Sequence, residues 1–425
     1  MMGKFFRKST DESRPKTMEQ AVIFKEKEEF KDAHWVLKNA SAKQFYEFSL
    51  DMDDFPNIEI RNISGLEETG LVFENNTISG TPVTNNMYHL DVQFYHIHDQ
   101  KHIETKKIQL FVNADPKDLW KNIPSDTNAA FYKSEEDSFK GSFSDKKIVV
   151  ASKRGRSHAH EGKFREDDFT VYNLPEDWNI VSVSDGAGSA AVAREGSRLA
   201  TATIGQFFNS QEIVRGIENN INQMYASDSS DVERSDAEQN IKNILSESVL
   251  HVHQTLEQTA SENALSVSDL HATLIFTLLK KFSFGYVILS FGVGDCPINL
   301  INPDFSEVKL LNQMDVGEFG GGTRFITMKE IFNDTMASRF RITCVKDFSY
   351  LVLMTDGIYD PKFITENKLE DTESWKTLFE DLAGNNDDRT KADFINDEKI
   401  DEELLIWCDF WSRGNHDDRT LAIIY

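Results

Sequence analysis

Three aspartates at the ends of apolar segments limit what this chain can fold into. Asp185 and Asp356 each follow a strand-like segment and are followed by glycine, whereas Asp417 precedes such a segment. A carboxylate at the tip of a buried strand is costly unless a cation meets it, and several converging carboxylates increase that cost. Oxygen ligands without a His or Cys cluster favour Mg²⁺ or Mn²⁺ over Zn²⁺. The pattern therefore predicts strand ends gathered around a divalent-metal site.

A second interpretation of these aspartates stays open at this stage. Asp-Gly is also an ordinary turn dipeptide, so a single one carries little information about metal binding. A further acidic cluster, Glu166-Asp167-Asp168, precedes the apolar segment Phe169–Tyr172. The glycine after Asp185 allows close backbone approach, and the carbonyl of Gly186 is a further candidate ligand.

The charge balance excludes some classes of function. The chain has 425 residues with 46 basic and 71 acidic side chains, a net charge of −25. Binding to nucleic acid or to an anionic membrane needs a basic surface, so neither is expected. Hydrophobic residues at 39% and aromatic residues at 11% argue against disorder. This length predicts two or three domains.

The three cysteines and the N-terminal residues indicate the cellular compartment. Cys296, Cys344 and Cys408 are far apart and form no CxxC pair, so neither a zinc knuckle nor a disulfide framework is expected. No apolar signal-peptide core follows Met1 and no segment is long enough to span a bilayer. We therefore expect a cytoplasmic protein.

Hydrophobic patterning divides the chain into four parts. Residues 1–37 are charge-rich and are predicted to be a flexible tail, with a short helix over 24–30 as the alternative. Residues 38–115 contain short segments of alternating polarity separated by turn signals, which predicts a small β-sandwich. Residues 116–141 read as a linker. In residues 142–425 buried strands alternate with long helical segments, which favours an α+β fold.

The first strand-rich part resembles a known module. Ile63–Leu66, Gly70–Phe73 and Thr77–Pro82 are similar to the pattern of bacterial immunoglobulin-like domains. Glu67 and Glu68 replace the usual proline-containing turn. The resemblance implies an immunoglobulin-like β-sandwich and says little about a ligand.

The larger part resembles the metal-dependent protein phosphatase 2C family, in its bacterial branch. Six motifs occur in the family's order: Gly155–His158 with Glu166–Asp168, Asp185–Ser189, His271–Leu274, Gly294–Cys296, Asp356–Asp360 and Asp417–Thr420. The resemblance implies an αββα sandwich, with two central antiparallel sheets flanked by helices. It also implies a serine/threonine protein phosphatase that hydrolyses phosphoserine and phosphothreonine by a bridging hydroxide activated by Mn²⁺ or Mg²⁺.

Positions carried over from the family assign the metal ligands. Asp185 would bridge two metals, and Gly186 would add its carbonyl to one of them. Asp356 and Asp417 would bind the second metal, and Asp167 would hold its waters. Asp295 and Asp360, in addition, match positions that hold a third metal in some relatives.

Two departures from the family concern the phosphate and the leaving group. His158, also assigned a catalytic role, is the first candidate for phosphate binding and Arg156 the next; a loop histidine without such a role is the alternative for His158. Ala187 occupies the place of the histidine that some members use as a general acid, so the identity of any general acid stays open.

Two classes of function follow from these features. The first is an active phosphatase whose partners are a phosphorylated protein substrate and a cognate Ser/Thr kinase. The alternative is a catalytically weak phosphatase-like module that captures a partner protein through the β-sandwich. The aspartates at positions 185, 356 and 417 favour the enzyme.

Overall fold

The chain forms two compact units, Met1–Trp120 and Lys121–Tyr425. The computed structural model describes residues 17–315, 322–333, 335–412 and 414–425. Each unit has hydrophobic clusters of its own. Within the described parts of the chain, every helix is too short or too polar to cross a bilayer.

The first unit is built mainly of strands in two sheets. Its elements are α1 (Met18–Asp32), β1 (Ala40–Ser41), β2 (Tyr46–Ser49), β3 (Ile58–Ser64), β4 (Leu71–Glu74), β5 (Thr77–Gly80), β6 (Asn86–His96) and β7 (Asp99–Asn113). The sheet orders are β1-β7-β6-β3 and β2-β5-β4. β1 pairs with β7 in parallel, and the other pairs are antiparallel.

The two sheets of this unit share one core. Ile78 from the smaller sheet and Leu90 and Leu110 from the larger one belong to the same buried cluster. Alternate residues of β6 are buried, as expected for a strand with one face against a core. The β-sandwich predicted for this part of the chain is confirmed, whereas its bounds at residues 38 and 115 and its relation to immunoglobulin-like domains stay predictions.

The flexible tail predicted for residues 1–37 is wrong for the helix α1; residues 1–16 lie outside the described residues. The Phe30 ring is fully buried, with its centroid 4.4 Å from that of Phe94 and 5.0 Å from that of Trp35. Lys106 Nζ donates to the carbonyls of Phe30 (2.6 Å) and Lys31 (2.9 Å) at the end of the helix. These contacts with β6 and β7 order a segment whose own sequence is mostly charged.

The second unit contains the remaining strands: β8 (Glu136–Phe143), β9 (Lys146–Lys153), β10 (Asp168–Asn173), β11 (Asn179–Ser184), β12 (Leu274–Phe282), β13 (Gly285–Val293), β14 (Ile298–Ile301), β15 (Val308–Leu310), β16 (Arg341–Val345), β17 (Tyr350–Met354) and β18 (Arg419–Ile424). Its helices are α2 (Arg156–Glu161), α3 (Ala193–Phe208), α4 (Gln211–Tyr225), α5 (Asp231–Glu262), α6 (Asp356–Phe363), α7 (Thr372–Leu382) and α8 (Ile400–Trp407).

Two antiparallel sheets form the centre of the second unit. Their orders are β10-β11-β12-β13-β16 and β15-β14-β17-β18-β9-β8. Val181 of β11 and Leu353 of β17 meet in a central cluster between the sheets. Ile180 faces the opposite way into a cluster with α3, α4 and α5, and Val352 faces a cluster with α6, α7 and α8. Helices therefore cover both outer faces, and the predicted α+β sandwich of four layers is confirmed.

The strand β8 begins at Glu136, inside the segment predicted as a linker over 116–141. Most of this strand is at least partly exposed, and β8 lies at the edge of its sheet, so its sequence is polar. The chain just before it is also held in place. Arg194 donates to the carbonyls of Ala130 and Phe131, each at 2.8 Å. This anchoring gives the segment a fixed path across the second unit.

Candidate active site

The predicted aspartates lie where the two central sheets end. Asp185 directly follows β11, Asp356 is the first residue of α6 after β17, and Asp417 lies two residues before β18. Because β11 belongs to one sheet and β17 and β18 to the other, face-to-face packing brings the three side chains to one edge. Their carboxylates influence one another's pKa, and Asp167 takes part as well.

Backbone contacts hold the segment after β11 against the segment before β12. Gly186 forms a bridge with Ala272, and Asp185 exchanges hydrogen bonds with Thr273, through N–H to Oγ1 at 2.8 Å and through C=O to N–H at 2.8 Å. A Cβ at position 186 would lie 2.8 Å from the carbonyl oxygen of Glu166. Glycine is therefore required at this position, and the turn that follows Asp185 is closely packed.

Burial and mutual repulsion dominate the electrostatics of the carboxylates. Removal from water raises the pKa of Asp185 well above its ordinary value, and Asp356, Asp167 and Asp417 raise it further. Burial also raises the pKa of Asp356 well above its ordinary value, with Asp417 the largest of its charged neighbours. Carboxylates this close together remain ionised only when positive charge lies among them.

Asp167 is held by two hydroxyl groups. Its Oδ2 accepts hydrogen bonds from Thr420 Oγ1 at 2.7 Å and from Thr355 Oγ1 at 2.8 Å. Burial and the nearby Asp418 carboxylate nevertheless raise the pKa of Asp167 to about 7. The two threonines fix the direction of the carboxylate, because one donates from β18 and the other from the residue before α6.

Asp295 and Asp360 lie at the margin of the cluster. Asp295 Oδ2 accepts from Thr323 Oγ1 at 2.8 Å, whereas Asp295 Oδ1 is buried and has no hydrogen-bond partner. Ligand atoms of Asp185, Asp295 and Cys296 lie within 4.8 Å of one another. Asp360 is exposed, and its Oδ2 accepts from Asn415 Nδ2 at 3.4 Å. The Oδ1 atom of Asp295, a buried carboxylate oxygen without a hydrogen-bond partner, is therefore suited to bind a cation.

His158 lies among carboxylates rather than in an isolated loop. Its Nδ1 is 3.0 Å from Asp418 Oδ2 and its Nε2 is 3.8 Å from Glu166 Oε2. Burial opposes the charge of the imidazole, but Asp418, Glu166 and Asp417 outweigh that effect and raise the pKa of His158 to about 9. The side chain is therefore a cation near neutral pH.

The guanidinium group of Arg156 contacts Asp409 and Trp411 and not the carboxylate cluster. Its Nη2 donates to the carbonyl of Asp409 at 2.7 Å and to Oδ1 of the same residue at 2.9 Å. Its guanidinium carbon lies 5.6 Å from the centroid of the Trp411 ring. Arg165, another cation of this region, is buried and donates to the carbonyl of Asp167 at 3.0 Å. A phosphate-binding role for His158 or Arg156 stays a prediction.

Asp418 is a structural centre of the site that the sequence prediction did not single out. Its buried carboxylate accepts the N–H of Gly155 at 2.6 Å and also the N–H of Glu166, in addition to its contact with His158. These contacts join β18 to the segments on both sides of α2. The sequence shows an Asp417-Asp418 pair, and nothing in it says which of the two carboxylates points toward Asp185 and Asp356.

Close packing at Gly357 leads to a prediction about stability. A Cβ at this position would lie 1.9 Å from the carbonyl oxygen of Asp418. We expect Gly357→Ala to lower the free energy of unfolding by roughly 1–3 kcal/mol, because α6 must move away from the backbone of Asp418 to make room for the methyl group. Gly188→Ala is the control, since nothing lies within 4 Å of its Cβ position. Urea unfolding of both variants measures the difference, and equal midpoints would contradict the prediction.

Comparison with solved structures finds several phosphatases. A bacterial serine phosphatase matches with a TM-score of 0.39 and 14% identity over 69% of this chain and 97% of its own. A serine/threonine phosphatase of S. agalactiae matches with a TM-score of 0.39 and 14% identity over 65% of this chain and 98% of its own. The PstP catalytic domain, solved with two manganese ions, matches with a TM-score of 0.38 and 16% identity over 65% and 96%.

Comparison of the sequence with protein families gives the assignment. Among curated proteins none is significantly similar to this chain. A sequence model of protein phosphatase 2C matches residues 154–404. That match spans more than half of the 425 residues and contains all but the last of the six motifs. On this basis, the chain belongs to the protein phosphatase 2C family.

Proposed function

We propose that this chain hydrolyses phosphoserine and phosphothreonine in proteins, with two divalent cations, Mn²⁺ or Mg²⁺, held among its aspartates. The observation that carries the proposal is the convergence of buried carboxylates at one end of the two sheets. Burial and the neighbouring carboxylates raise the pKa values of Asp185 and Asp356 well above the ordinary value of an aspartate. Cations in the cluster would remove that repulsion, and family membership points to the same chemistry.

The donor set fits divalent cations of the hard, oxygen-binding kind. Asp185 and the carbonyl of Gly186 would hold one cation, and Asp185, Asp356 and Asp417 would hold the other. Asp167 would act through water. The unpartnered Oδ1 of Asp295 makes this residue, with Asp360, the candidate for a third cation.

The chemistry divides between the cations and the side chains. When bound, divalent cations supply a water that ionises near neutral pH and neutralise phosphate oxygens. His158 carries positive charge near neutral pH and is proposed to attract the phosphate into the site. Ala187 has no titratable side chain, so the proton for the leaving alkoxide comes from another group.

The hydroxyl groups on Asp167 provide a test of the proposed metal site. Thr420→Val removes one donor at nearly constant volume, which favours the protonated carboxyl and leaves it less well oriented. We expect the affinity for Mn²⁺ to fall by about 10-fold, the lower end of the loss seen when a partner of a direct metal ligand is removed, because Asp167 would act through water. Titration calorimetry measures this affinity, and Thr420→Ser, which keeps the hydroxyl, should bind nearly as the wild type does. Equal affinity in the valine variant would argue against the role of Asp167.

We also propose that the β-sandwich unit recognises a protein partner, with a cognate Ser/Thr kinase as the candidate. The support is its separate core and its division from the second unit after Trp120. Removing residues 1–120 is expected to spare hydrolysis of a generic phosphopeptide and to slow dephosphorylation of the phosphorylated kinase. Equal loss on both substrates would mean that the unit only stabilises the fold.

A further inference from the structure

The residues just before β8 pack against the candidate site, although they lie outside the family match. Residues 121–135, called the strap below, belong to the second unit and precede the matched residues 154–404. They contact residues 155–168, the segment that carries the histidine of the site and the aspartate held by two threonines. The N–H of Ile123, for example, donates to the carbonyl of Ala159 at 2.8 Å. The strap is thus a feature of this chain that family membership does not account for.

A buried lysine joins the strap to the acidic residues of that segment. Lys133 is 7% exposed, and its Nζ donates to the carbonyl of Asp167 at 2.6 Å and to Ser197 Oγ at 3.2 Å. The same Nζ lies 2.8 Å from Asp168 Oδ2. Ser197 Oγ in turn donates to the carbonyl of Glu166. Lys133 thus reaches all three residues of the acidic cluster, two directly and one through a serine.

The carboxylate and the backbone of Asp167 are held by different elements. Two threonine hydroxyls, one from β18 and one from the residue before α6, hold the carboxylate. The carbonyl accepts from Lys133 and, at 3.0 Å, from Arg165 Nη1. Arg165 Nε also donates to the carbonyl of Ser134, so the strap sets the place of this second donor as well. Partners behind a metal-binding residue fix its orientation, and Lys133 with the strap supplies those on the backbone side.

The path of the strap does not depend on this one side chain. Arg194 of α3 donates to the carbonyls of Ala130 and Phe131, each at 2.8 Å. At the end of the strap, Glu135 Oε1 lies 3.1 Å from Arg154 Nη2. A change of the lysine to an uncharged side chain should therefore leave the strap in place and remove only its contacts with the acidic segment.

We propose that Lys133, supplied by the strap, is a positioning residue for the candidate metal site. The proposal rests on the proposed function, since it takes Asp167 to hold water on a bound cation. Lys133 acts through the backbone of Asp167 and not on the cation itself. Its positive charge alone would repel a divalent cation, whereas its hydrogen bonds order a residue that helps to hold one. Because the two effects have opposite signs, a measurement of metal affinity separates them.

The test uses the full chain and Mn²⁺ alone, with titration calorimetry as the measurement. We expect Lys133→Met to lower the affinity for Mn²⁺ by about 10-fold, the lower end of the loss seen when a partner of a direct metal ligand is removed. This variant also leaves the Asp168 carboxylate buried without its partner, which destabilises the fold. Lys133→Met combined with Asp168→Asn removes both charges and keeps the net charge. We expect this double variant to unfold close to the wild-type temperature with the affinity still lowered.

Lys280→Met is the matched control. The Lys280 side chain is 12% exposed, and its Nζ donates to Glu218 Oε2 and to the carbonyl of Glu176, each at 2.7 Å. It lies six residues, roughly 20 Å, beyond the start of β12, so this variant should lose stability and keep its affinity for Mn²⁺. An affinity that is unchanged or raised in Lys133→Met, that recovers in the double variant, or that falls equally in Lys280→Met would overturn the positioning role alone. A wild type that binds no Mn²⁺ would overturn the proposed function and the positioning role with it.

Discussion

Asp185→Asn is expected to lower the rate of phosphopeptide hydrolysis by at least about 100- to 1,000-fold, the loss seen when one electrostatic contact to the reacting centre is removed. Asp185 lies in the middle of the cluster, and the carboxylates of Asp356, Asp167, Asp417 and Asp295 all influence its pKa. The amide keeps the shape of the side chain but carries no negative charge, so it would hold divalent cations far more weakly. Single-turnover and steady-state assays with a phosphothreonine peptide measure the loss.

The fold should survive this substitution. Asparagine removes a buried carboxylate from a repulsive cluster, so the variant should unfold at the same temperature as the metal-free wild type or at a higher one. Asp304→Asn is the matched control, because Asp304 is exposed in the turn between β14 and β15. Hydrolysis by Asp185→Asn at the wild-type rate would contradict the role of Asp185 in the proposed function, whereas no hydrolysis by the wild type itself would favour the phosphatase-like binding module.

Thermal stability is expected to depend strongly on divalent cations. A ligand that binds only the folded state at 100 times its dissociation constant adds about 2.7 kcal/mol, which corresponds to a rise of roughly 5–10 °C in the unfolding midpoint. Mn²⁺ should produce such a rise in the wild type, and chelation should reverse it. The double variant Asp185→Asn, Asp356→Asn should be more stable than the wild type without metal and should not respond to Mn²⁺.

The metal-free protein should also lose stability as the pH rises from about 5 to 9. Burial raises the pKa of Asp167 and of Glu166 to about 7, so the folded state binds more protons than the unfolded state below that pH. The pKa of His158, raised to about 9, has the same consequence at higher pH, since its charge stabilises the fold only while it is protonated. Saturating Mn²⁺ should flatten this profile. A stability that increases with pH in the metal-free protein would contradict these shifts.

Some of the site could be predicted because its signals are local. A strand followed by Asp-Gly indicates a carboxylate at a strand tip whatever the rest of the chain does, and the order of six motifs indicates the family. Asp185, Asp356 and Asp417 were found in this way. Asp418 was not, because the two aspartates of the pair differ only in the direction of their side chains, which the N–H groups of Gly155 and Glu166 decide.

The segments that form α1 and β8 were predicted wrongly, as a flexible tail and a linker, because a local sequence pattern does not show contacts with distant residues. The helix α1 is highly charged, and it is ordered because Phe30 packs on Phe94 and Lys106 reaches its last carbonyls. The strand β8 is polar because it lies at a sheet edge, so its composition resembles a linker. In both segments, contacts with distant residues override a sequence that alone favours disorder.

By itself the sequence determined the family, the order of strands and helices and the identity of most acidic residues at the strand ends, since each depends on residues close together in the chain. Only the tertiary structure decided which side chains meet. Thr420 bonds to Asp167 across 253 positions of the chain, and the Asp418 carboxylate accepts the N–H of Gly155 across 263 positions. Such contacts depend on how the two sheets pack, and packing is a property of the folded chain as a whole.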